Sequence, residues 1–353
     1  MSLVFKISKN PQSKIAACDF NNIEFGKLFS DHMFRVDYEN GEWKTGEILP
    51  YGNISFSPAL SSLHYGQAIF EGMKAFKDAN GNPQLFRPLD NFERFNISAV
   101  RMGMPEISET LFIEGLKQLV NIDQDWIPTI EGSALYLRPF MFATDDYVGV
   151  RPSNNYSFII FCCPVNSYYP KPIKVKVEEK YTRAFDGMAG SVKAAGNYGI
   201  SMKPTSDAKK EGFDQIIWTD GKEHRYVEES GTTNLFFVLS DETVLTPALD
   251  GNILKGVTRD SCIQLLKDAN YNVIEKHIDI EEIAQAAREG KLIDAFGTGT
   301  AALIAKIETI AYRNERFELP AAEERKISNW LYKKLGDIQT SKIEDKFGWI
   351  VKI

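Results

Sequence analysis

A single lysine, Lys193, stands in a run of small residues that extends over residues 187–199. A lysine that bonds to a flat, bulky group needs free space on both sides, whereas a solvated lysine does not. The spacing is therefore consistent with a covalently bound aldehyde cofactor. From this stretch alone, an ordinary solvated lysine in a glycine-rich loop is the better-supported interpretation, so the rest of the chain must decide.

Two turns that contain glycine and threonine have the composition of anion-binding sites. Gly256-Val257-Thr258 opens a predicted helix, whose first amides and dipole favour an anion. Thr298-Gly299-Thr300 can form a nest of backbone amides and hydroxyls. Each turn is a weak signal by itself, and neither matches the GxxxxGK[ST] pattern of a nucleotide-binding loop.

Two adjacent acids, Glu228 and Glu229, precede a run of apolar residues at 235–239 that predicts a buried strand. A buried carboxylate needs a partner, and a protonated ring nitrogen is one such partner. The alternative is a solvated strand end, which we expect for one of the two acids. A lysine, an anion cradle and a carboxylate are the groups that pyridoxal phosphate requires, although sequence order does not prove that they meet.

The first half of the chain offers three polar candidates on predicted elements. A helix is predicted from about residue 90 to 102, capped by Asp90 and Glu93, with Arg94 away from its apolar face. Periodicity alone therefore favours a solvated Arg94. Tyr136 and Arg138 share one face of a predicted strand, either as a polar site or as the wet face of a sheet.

These elements alternate between strand and helix patterns, which predicts a mixed α/β fold. A length of 353 residues is typical of two domains. Three prolines between residues 164 and 172 mark the best linker, because proline interrupts a sheet interior. We therefore predict a small N-terminal α/β domain (1–165), an interdomain loop (166–173) and a large C-terminal cofactor-binding domain (174–353).

The composition excludes several other classes of function. The net charge of −7 gives no support for nucleic-acid binding. The first six residues lack the apolar core of a signal peptide, and the longest apolar run, residues 156–165, is shorter than the ~20 residues that span a bilayer. The four cysteines and four histidines form no CxxC and no metal motif. We expect a cytoplasmic protein with reduced thiols, no metal and no membrane contact.

Along nearly its whole length the chain resembles the branched-chain amino acid aminotransferases, which are pyridoxal phosphate enzymes of fold type IV. Together, its motifs in this order are specific to that family. The motifs that carry the resemblance are Phe25-Gly26 with Asp31-His32-Met33, Leu63-His64-Tyr65, Phe70-Glu71-Gly72-Met73-Lys74-Ala75-Phe76, Ser98-Ala99-Val100-Arg101, Leu135-Tyr136-Leu137-Arg138-Pro139, Lys193-Ala194-Ala195-Gly196-Asn197-Tyr198-Gly199, Glu229-Ser230-Gly231-Thr232-Thr233-Asn234, Ile253-Leu254-Lys255-Gly256-Val257-Thr258-Arg259 and Gly297-Thr298-Gly299-Thr300-Ala301.

The resemblance implies a role for each cofactor-binding residue. Lys193 resembles the catalytic lysine that forms the Schiff base, Glu229 the partner of the pyridine nitrogen, and Tyr198 the partner of the phenolic oxygen. The remaining cofactor contacts that it implies are Arg94, Val257, Thr258 and Thr300 at the phosphate, Arg183 near the phosphate, Thr232 close to the carboxylate, and Leu254 beneath the ring.

The resemblance also implies an apolar substrate cage, part of which comes from the second subunit of a homodimer. Arg138 is similar to the residue that receives the distal carboxylate of glutamate. The other implied substrate contacts are Phe25, Tyr65, Phe70, Tyr136, Tyr168, Thr300 and Ala301.

The implied reaction is ping-pong transamination of L-leucine, L-isoleucine and L-valine with 2-oxoglutarate, which gives branched-chain 2-oxo acids and L-glutamate. Lys193 would serve as general base and then acid. The alternatives are D-amino acid transaminase, 4-amino-4-deoxychorismate lyase, or a non-catalytic phosphate-binding protein that leaves Lys193 without a role. Some mammalian members carry a redox-sensitive CxxC after the last threonine motif. Ala302 and Ala305 stand there in this chain, so we expect no such redox control.

Overall fold

The computed structural model describes residues 5–353. Residues 1–4, which belong to the N-terminal segment considered above as a signal peptide, lie outside it. The chain forms two compact units. The first unit consists of the described part of Met1–Tyr168, Lys193–Gly196 and Gly336–Ile353. The second unit consists of Tyr169–Val192 and Asn197–Leu335. The predicted domains were contiguous, with the N-terminal one the smaller. In the structure the first unit is the larger, because it includes two later segments of the chain.

Strands and helices alternate through the described residues, as the sequence predicted. The strands are β1 (Lys6–Ile7), β2 (His32–Glu39), β3 (Glu42–Trp43), β4 (Glu47–Pro50), β5 (Ala68–Phe70), β6 (Met73–Lys77), β7 (Pro83–Phe86), β8 (Ala134–Ala143), β9 (Tyr156–Val165), β10 (Ile173–Val177), β11 (Gln215–Thr219), β12 (Val227–Ser230), β13 (Thr233–Leu239), β14 (Val244–Pro247), β15 (Val273–Lys276), β16 (Leu292–Gly299), β17 (Leu303–Tyr312), β18 (Glu315–Glu318) and β19 (Ile350–Lys352). The α-helices are α1 (Ser61–Tyr65), α2 (Pro88–Arg101), α3 (Glu109–Ile122), α4 (Gly196–Gly199), α5 (Met202–Lys210), α6 (Val257–Asp268), α7 (Ile280–Arg288) and α8 (Lys326–Gln339). Short 3₁₀ turns lie at Ile15–Ala17, Gln124–Trp126 and Ala322–Glu324.

The first unit is built on one sheet with the order β1-β4-β2-β9-β8-β6-β7-β19, to which β3 and β5 add at β2 and β8. Its central strand β9 is the longest apolar run of the sequence, and nine of its ten residues are buried. Helices α2 and α3 contribute Phe95 and Phe112 to the core, where both rings pack against Phe158 of β9. This core fixes the position of α2, which carries Arg94.

Local turn chemistry explains where two elements of the first unit begin or end. An Asn-Gly dipeptide predicts a two-residue hairpin turn, and Asn40 and Gly41 between β2 and β3 have the positive φ values that it requires, 56° and 81°. Helix α2 begins at Pro88, two residues before the predicted start. Its N-cap is Arg87, whose guanidinium contacts Asp90 at 2.6 Å. The prediction that Asp90 caps this helix was therefore wrong, because its carboxylate is bound to Arg87.

The second unit contains a sheet with the order β12-β11-β10-β17-β16-β13-β14-β15, and β18 adds at β17. Because β12 also pairs with β13, the strands from β12 through β10 and β17 to β13 form a closed ring. Strand β12 carries the two adjacent acids of the sequence, and β16 leads into the second glycine-threonine turn. The ring therefore places these two predicted motifs on two strands that pair with β13.

Some absences hold for the part of the chain that the structure describes. No helix there is long and apolar enough to cross a bilayer. No group of three or more His, Cys, Asp or Glu side chains within residues 5–353 could hold a metal ion. All four cysteines are free, and burial raises the pKa of the Cys163 thiol to about 11, with the charge of Arg138 opposing the rise.

Candidate active site

The backbone around Lys193 is held on two sides within the first unit. Its carbonyl accepts a hydrogen bond from the Phe70 amide at 3.1 Å, and the Ala195 amide donates to Ala68 at 3.0 Å. From helix α2, the Ser98 hydroxyl accepts from the Lys193 amide at 3.0 Å. The Nζ atom lies 4.9 Å from the centre of the Phe70 ring, a cation–π distance. Lys193 is thus a fixed side chain at the edge of β5.

A buried ion pair that the sequence did not predict lies beside this lysine. Glu71 is fully buried and accepts hydrogen bonds from Arg94 Nε (2.7 Å), Arg94 Nη2 (2.9 Å), Asn91 Nδ2 (2.8 Å) and the Gly72 amide (3.0 Å). Burial alone would raise the pKa of Glu71, but the charges of Arg94 and Lys193 and these hydrogen bonds hold it below its ordinary value. Arg94 is 8% exposed, so the helix periodicity that favoured a solvated arginine was misleading.

Aromatic side chains of the predicted substrate cage form one cluster in the first unit. The Phe25 ring packs edge-on against Tyr136 at 5.3 Å and against Tyr168 at 4.9 Å. Arg138 Nη2 donates to the Tyr136 hydroxyl at 3.0 Å, and its guanidinium lies 4.7 Å from the Phe70 ring centre. Since Phe70 also contacts Lys193, five predicted substrate residues share one contact network with the predicted catalytic lysine.

The other three predicted substrate residues lie on other elements of the chain. Tyr65 ends helix α1, is 40% exposed, and its ring lies 6.2 Å from that of His64. Thr300 and Ala301 belong to the second unit, in the turn between β16 and β17. Within the first unit, the structure therefore joins five of the eight predicted substrate residues.

Both acids of strand β12 are buried, contrary to the expectation that one would be a solvated strand end. Glu229 is 4% exposed and Glu228 is 3% exposed. Glu229 Oε1 accepts a hydrogen bond from the Leu254 amide at 2.8 Å and lies 3.4 Å from Arg183 Nη2. The backbone of the 250s loop thus fixes the predicted partner of the ring nitrogen.

A small cavity in the second unit brings together five of the predicted cofactor residues of that unit. Asn197 supports it by donating through Nδ2 to the carbonyls of Ala189 (2.6 Å) and Val192 (2.9 Å), which shapes the loop that leads to Lys193. The residues that line the cavity are Arg183, Val192, Asn197, Tyr198, Ser201, Glu229, Gly231, Thr232 and Leu254.

The predicted phosphate contacts of the second unit lie at a helix N-terminus and at a strand end. Helix α6 starts at Val257 and no side chain caps it at Gly256. A Cβ atom on Gly256 would lie 2.0 Å from Asn234 Oδ1, so this close approach requires glycine. Thr258 is 7% exposed in the first turn. First-turn amides and the helix dipole attract an anion, which is consistent with the predicted role.

Comparison with known proteins settles the family. A model of the family "Amino-transferase class IV" matches residues 68–310. The chain belongs to the class IV aminotransferases. It is 46% identical over 340 residues to a probable branched-chain-amino-acid aminotransferase of Staphylococcus epidermidis, covering 95% of this chain and 94% of that protein. Identity to branched-chain-amino-acid aminotransferase 2 of Bacillus subtilis is 43%, covering 95% and 93%.

The fold agrees with this assignment. The T.th. branched-chain amino acid aminotransferase, solved in complex with N-(5'-phosphopyridoxyl)-L-glutamate, matches with a TM-score of 0.73 at 23% identity, covering 90% of this chain and 98% of that one. The predicted mixed α/β fold of type IV and the predicted family are confirmed. Class IV aminotransferases use pyridoxal phosphate, so the cofactor prediction is confirmed too.

The residues of this class IV aminotransferase fit that cofactor in chemical type. An uncapped helix start at Gly256 is a site for a phosphate, and a buried carboxylate at Glu229 is a partner for a protonated pyridine. Arg183 Nε is buried without a hydrogen-bond partner in the described residues, which is an unused donor next to Glu229. The individual residue assignments remain predictions.

Proposed function

We propose that the protein transfers the amino groups of L-leucine, L-isoleucine and L-valine to 2-oxoglutarate. The observation that carries the proposal is the contact of Phe70 with both the Lys193 ammonium and the Arg138 guanidinium, inside a cluster of aromatic rings. Aromatic walls suit an apolar side chain, and a guanidinium suits the distal carboxylate of glutamate. The names of the relatives from Staphylococcus epidermidis and Bacillus subtilis support the same substrates.

In this proposal Lys193 would hold pyridoxal phosphate covalently, and the bound cofactor would supply an electron sink that makes the α-proton of the amino acid acidic. Glu229 holds a proton at the ring nitrogen, and Tyr198, Thr232 and Leu254 complete the ring contacts. The proposed phosphate and near-phosphate contacts are Arg94, Arg183, Val257, Thr258 and Thr300.

The chain's own groups then perform the proton transfer. Once the substrate amino group has replaced it, the free Lys193 Nζ would take the proton from the substrate α-carbon as general base and deliver it, as general acid, to the cofactor carbon on the other side of that nitrogen, with an expected rate contribution of about 10²–10⁴-fold. Phe70 keeps water from this amine, because its ring packs against Nζ. The Leu254 amide fixes the Glu229 carboxylate, so no reorientation is needed during turnover.

We further propose a homodimer located in the cytoplasm, in which Tyr65 contributes to the site of the partner subunit. Tyr65 is 40% exposed and Leu63 is 73% exposed on the same short helix, so the two side chains offer apolar surface to a second subunit. Light scattering of the purified protein tests this: a mass near twice 39.9 kDa is expected, and a monomer at micromolar concentration would contradict it.

The decisive experiment is a half-reaction panel with the purified, cofactor-loaded protein. L-Leucine, L-isoleucine and L-valine, each added alone, should bleach the visible band of bound pyridoxal phosphate, whereas D-alanine should leave it unchanged. A faster reaction with D-alanine would favour D-amino acid transaminase. A protein that gains no visible band with pyridoxal phosphate would favour the phosphate-binding alternative.

The position of the covalent bond is tested by borohydride reduction and peptide mapping. Lys74 is the strongest alternative site for the covalent bond, because burial lowers the pKa of its amine to about 8 and leaves it more nucleophilic than a solvated lysine. We expect the reduced label on Lys193 alone. A label on Lys74, or turnover that survives in Lys193→Ala, would overturn the assignment, and the exposed Lys210→Ala serves as the matched control.

A further inference from the structure

Glu228 is a buried acid for which the proposed mechanism has no use. Its side chain is 3% exposed, and neither carboxylate oxygen accepts a well-aligned hydrogen bond from the described residues. The Asn252 side-chain amide lies near enough to lower the pKa of Glu228 slightly, but it donates to Asp186 at 3.0 Å. An ionised carboxylate without a partner in such a place is costly, so it either finds a counter-ion or takes up a proton. The nearby cation is Arg183, which already contacts the Asn252 carbonyl at 2.5 Å and Glu229 at 3.4 Å.

Strand β12 contributes one of its two acids to each of two cavities. Successive residues of a strand alternate between its faces. Glu229 lines the small cavity with Tyr198 and Leu254, and Glu228 lines a second cavity of about 310 Å³. Arg183 interacts with both acids. The Arg183 guanidinium therefore contacts Glu229 at 3.4 Å, and its charge also acts on Glu228 across the strand.

The charges around Glu228 are mostly negative. On its own strand it faces Glu229, and from the 250s loop it faces Asp250 and the side chain of Asn252. The cationic group that faces it is Arg183. The other charged or titratable residues that line the larger cavity are Asp186, Asp220, Lys222, Glu223, Tyr226 and His277.

We propose that Glu228 is a positioning residue that remains uncharged at neutral pH and thereby leaves the guanidinium of Arg183 to Glu229. The inference rests on the proposed function, in which Glu229 holds the proton of the cofactor ring. Burial, opposed by Arg183 and reinforced by the charges of Asp250 and Glu229, raises the pKa of Glu228 to about 8. When Glu228 ionises in alkaline solution, it competes for Arg183 and draws this cation away from Glu229.

The first test uses the protein without cofactor. The folded pKa of Glu228 lies above its ordinary value of 4.5, so the stability that this acid contributes is complete below pH 4.5 and is lost as the pH rises to about 8. We expect Glu228→Gln to remove this slope, with a melting temperature about 5 °C or more above that of the wild type at pH 8.5 and a much smaller difference at pH 5.

Glu223→Gln is the matched control, since Glu223 lines the same cavity but is exposed. It should keep the wild-type slope. A Glu228→Gln protein that melts lower than the wild type at every pH would show that Glu228 is ionised and paired with Arg183, which overturns the inference. An unchanged slope in Glu228→Gln would overturn it as well.

The second test uses the loaded enzyme and compares kcat at pH 9 with kcat at pH 7. The wild type should lose activity over this range, and Glu228→Gln should lose at least threefold less. If both proteins bind pyridoxal phosphate and show the same alkaline decline, the positioning role fails and the proposed function stands. If neither binds pyridoxal phosphate, the proposed function fails and the positioning role fails with it.

Discussion

At the scale of single residues, three buried glutamates show how surroundings decide what a carboxyl group can do. Glu71 is bound by a guanidinium and two amide donors, and its pKa lies below the ordinary value. Glu228 accepts no well-aligned hydrogen bond from the described residues, and its pKa rises to about 8. Glu229 is fixed by a backbone amide and lies near Arg183. The first is suited to hold a cation, and the third to hold a ring proton.

Replacing Glu71 by glutamine tests the first of these roles. The change leaves Arg94 buried without its counter-ion, and breaking a buried pair costs about 3–5 kcal/mol. We expect a loss of this size in the free energy of unfolding from urea titration, together with a higher Kd for pyridoxal phosphate. Glu71 stabilises the fold above its unfolded pKa and loses this effect as the pH falls through its lowered folded pKa, so the difference should shrink in acid.

Glu93→Gln is the control for that substitution, because Glu93 lies on the same helix and is exposed. It should change the free energy of unfolding by no more than about 0.5 kcal/mol. Equal losses in the two variants would contradict a special role for Glu71.

Long motifs in the sequence predicted which residues belong to the candidate site. They did not predict the surroundings of those residues in the fold. Lys193, Glu229 and Leu254 were named from their motifs, and the structure places the last two in contact. Helical periodicity gave the wrong environment for Arg94, because its partner Glu71 is 23 residues away and no local pattern encodes that pairing. Glu71 lies within the motif at residues 70–76, and the acid directly before Gly72 was the sequence feature that could have identified it.

At the scale of elements, the approach of β6 to β8 fixes the position of Tyr136, a residue of the proposed substrate cage. Gly72, just before β6, faces the Tyr136 hydroxyl so closely that a Cβ atom there would lie 2.0 Å from it. We expect Gly72→Ala to displace Tyr136 and its bond to Arg138, with kcat/KM for 2-oxoglutarate falling more than tenfold and stability falling by about 1–3 kcal/mol. Steady-state kinetics and urea titration measure the two effects.

Gly336→Ala is a suitable control for this element, since a Cβ atom on Gly336 meets no atom within 4 Å and the residue lies in helix α8. Alanine is favoured there over glycine by about 1 kcal/mol, so stability should hold or rise. Normal kinetics in Gly72→Ala would show that Tyr136 does not shape the site.

Elements with local signals were predicted well, and their boundaries less so. The hairpin at Asn40-Gly41 has the positive φ values that this dipeptide predicts, and Ser108 caps α3 by accepting from the Leu111 amide at 3.2 Å. The start of α2 was misplaced because Arg87 adopts a left-handed conformation with φ of 51°, which asparagine or glycine would have signalled but arginine does not.

At the scale of the whole molecule, the C-terminal residues return to the N-terminal sheet. Strand β19 pairs with β7, and the Trp349 carbonyl accepts from the Arg87 amide at 2.8 Å. Trp349 is buried and lies 5.3 Å below the Arg87 guanidinium. No sequence pattern predicts this pairing across more than 260 residues, so the contiguous domain boundaries missed it. The C-terminal segment therefore holds Arg87, the N-cap of α2, and α2 is the helix that carries Arg94.

Substituting Trp349 by alanine tests this long-range support. Removing a buried tryptophan costs about 3–5 kcal/mol, and we expect faster hydrogen exchange in β7 and the first turn of α2. Because α2 carries Arg94, the Kd for pyridoxal phosphate should rise although Trp349 is not a proposed cofactor contact. The exposed Glu344→Ala, in the same terminal segment, should change neither quantity. If Trp349→Ala is destabilised but hydrogen exchange in α2 and the Kd for pyridoxal phosphate are unchanged, Trp349 stabilises only the edge of the sheet and does not support α2.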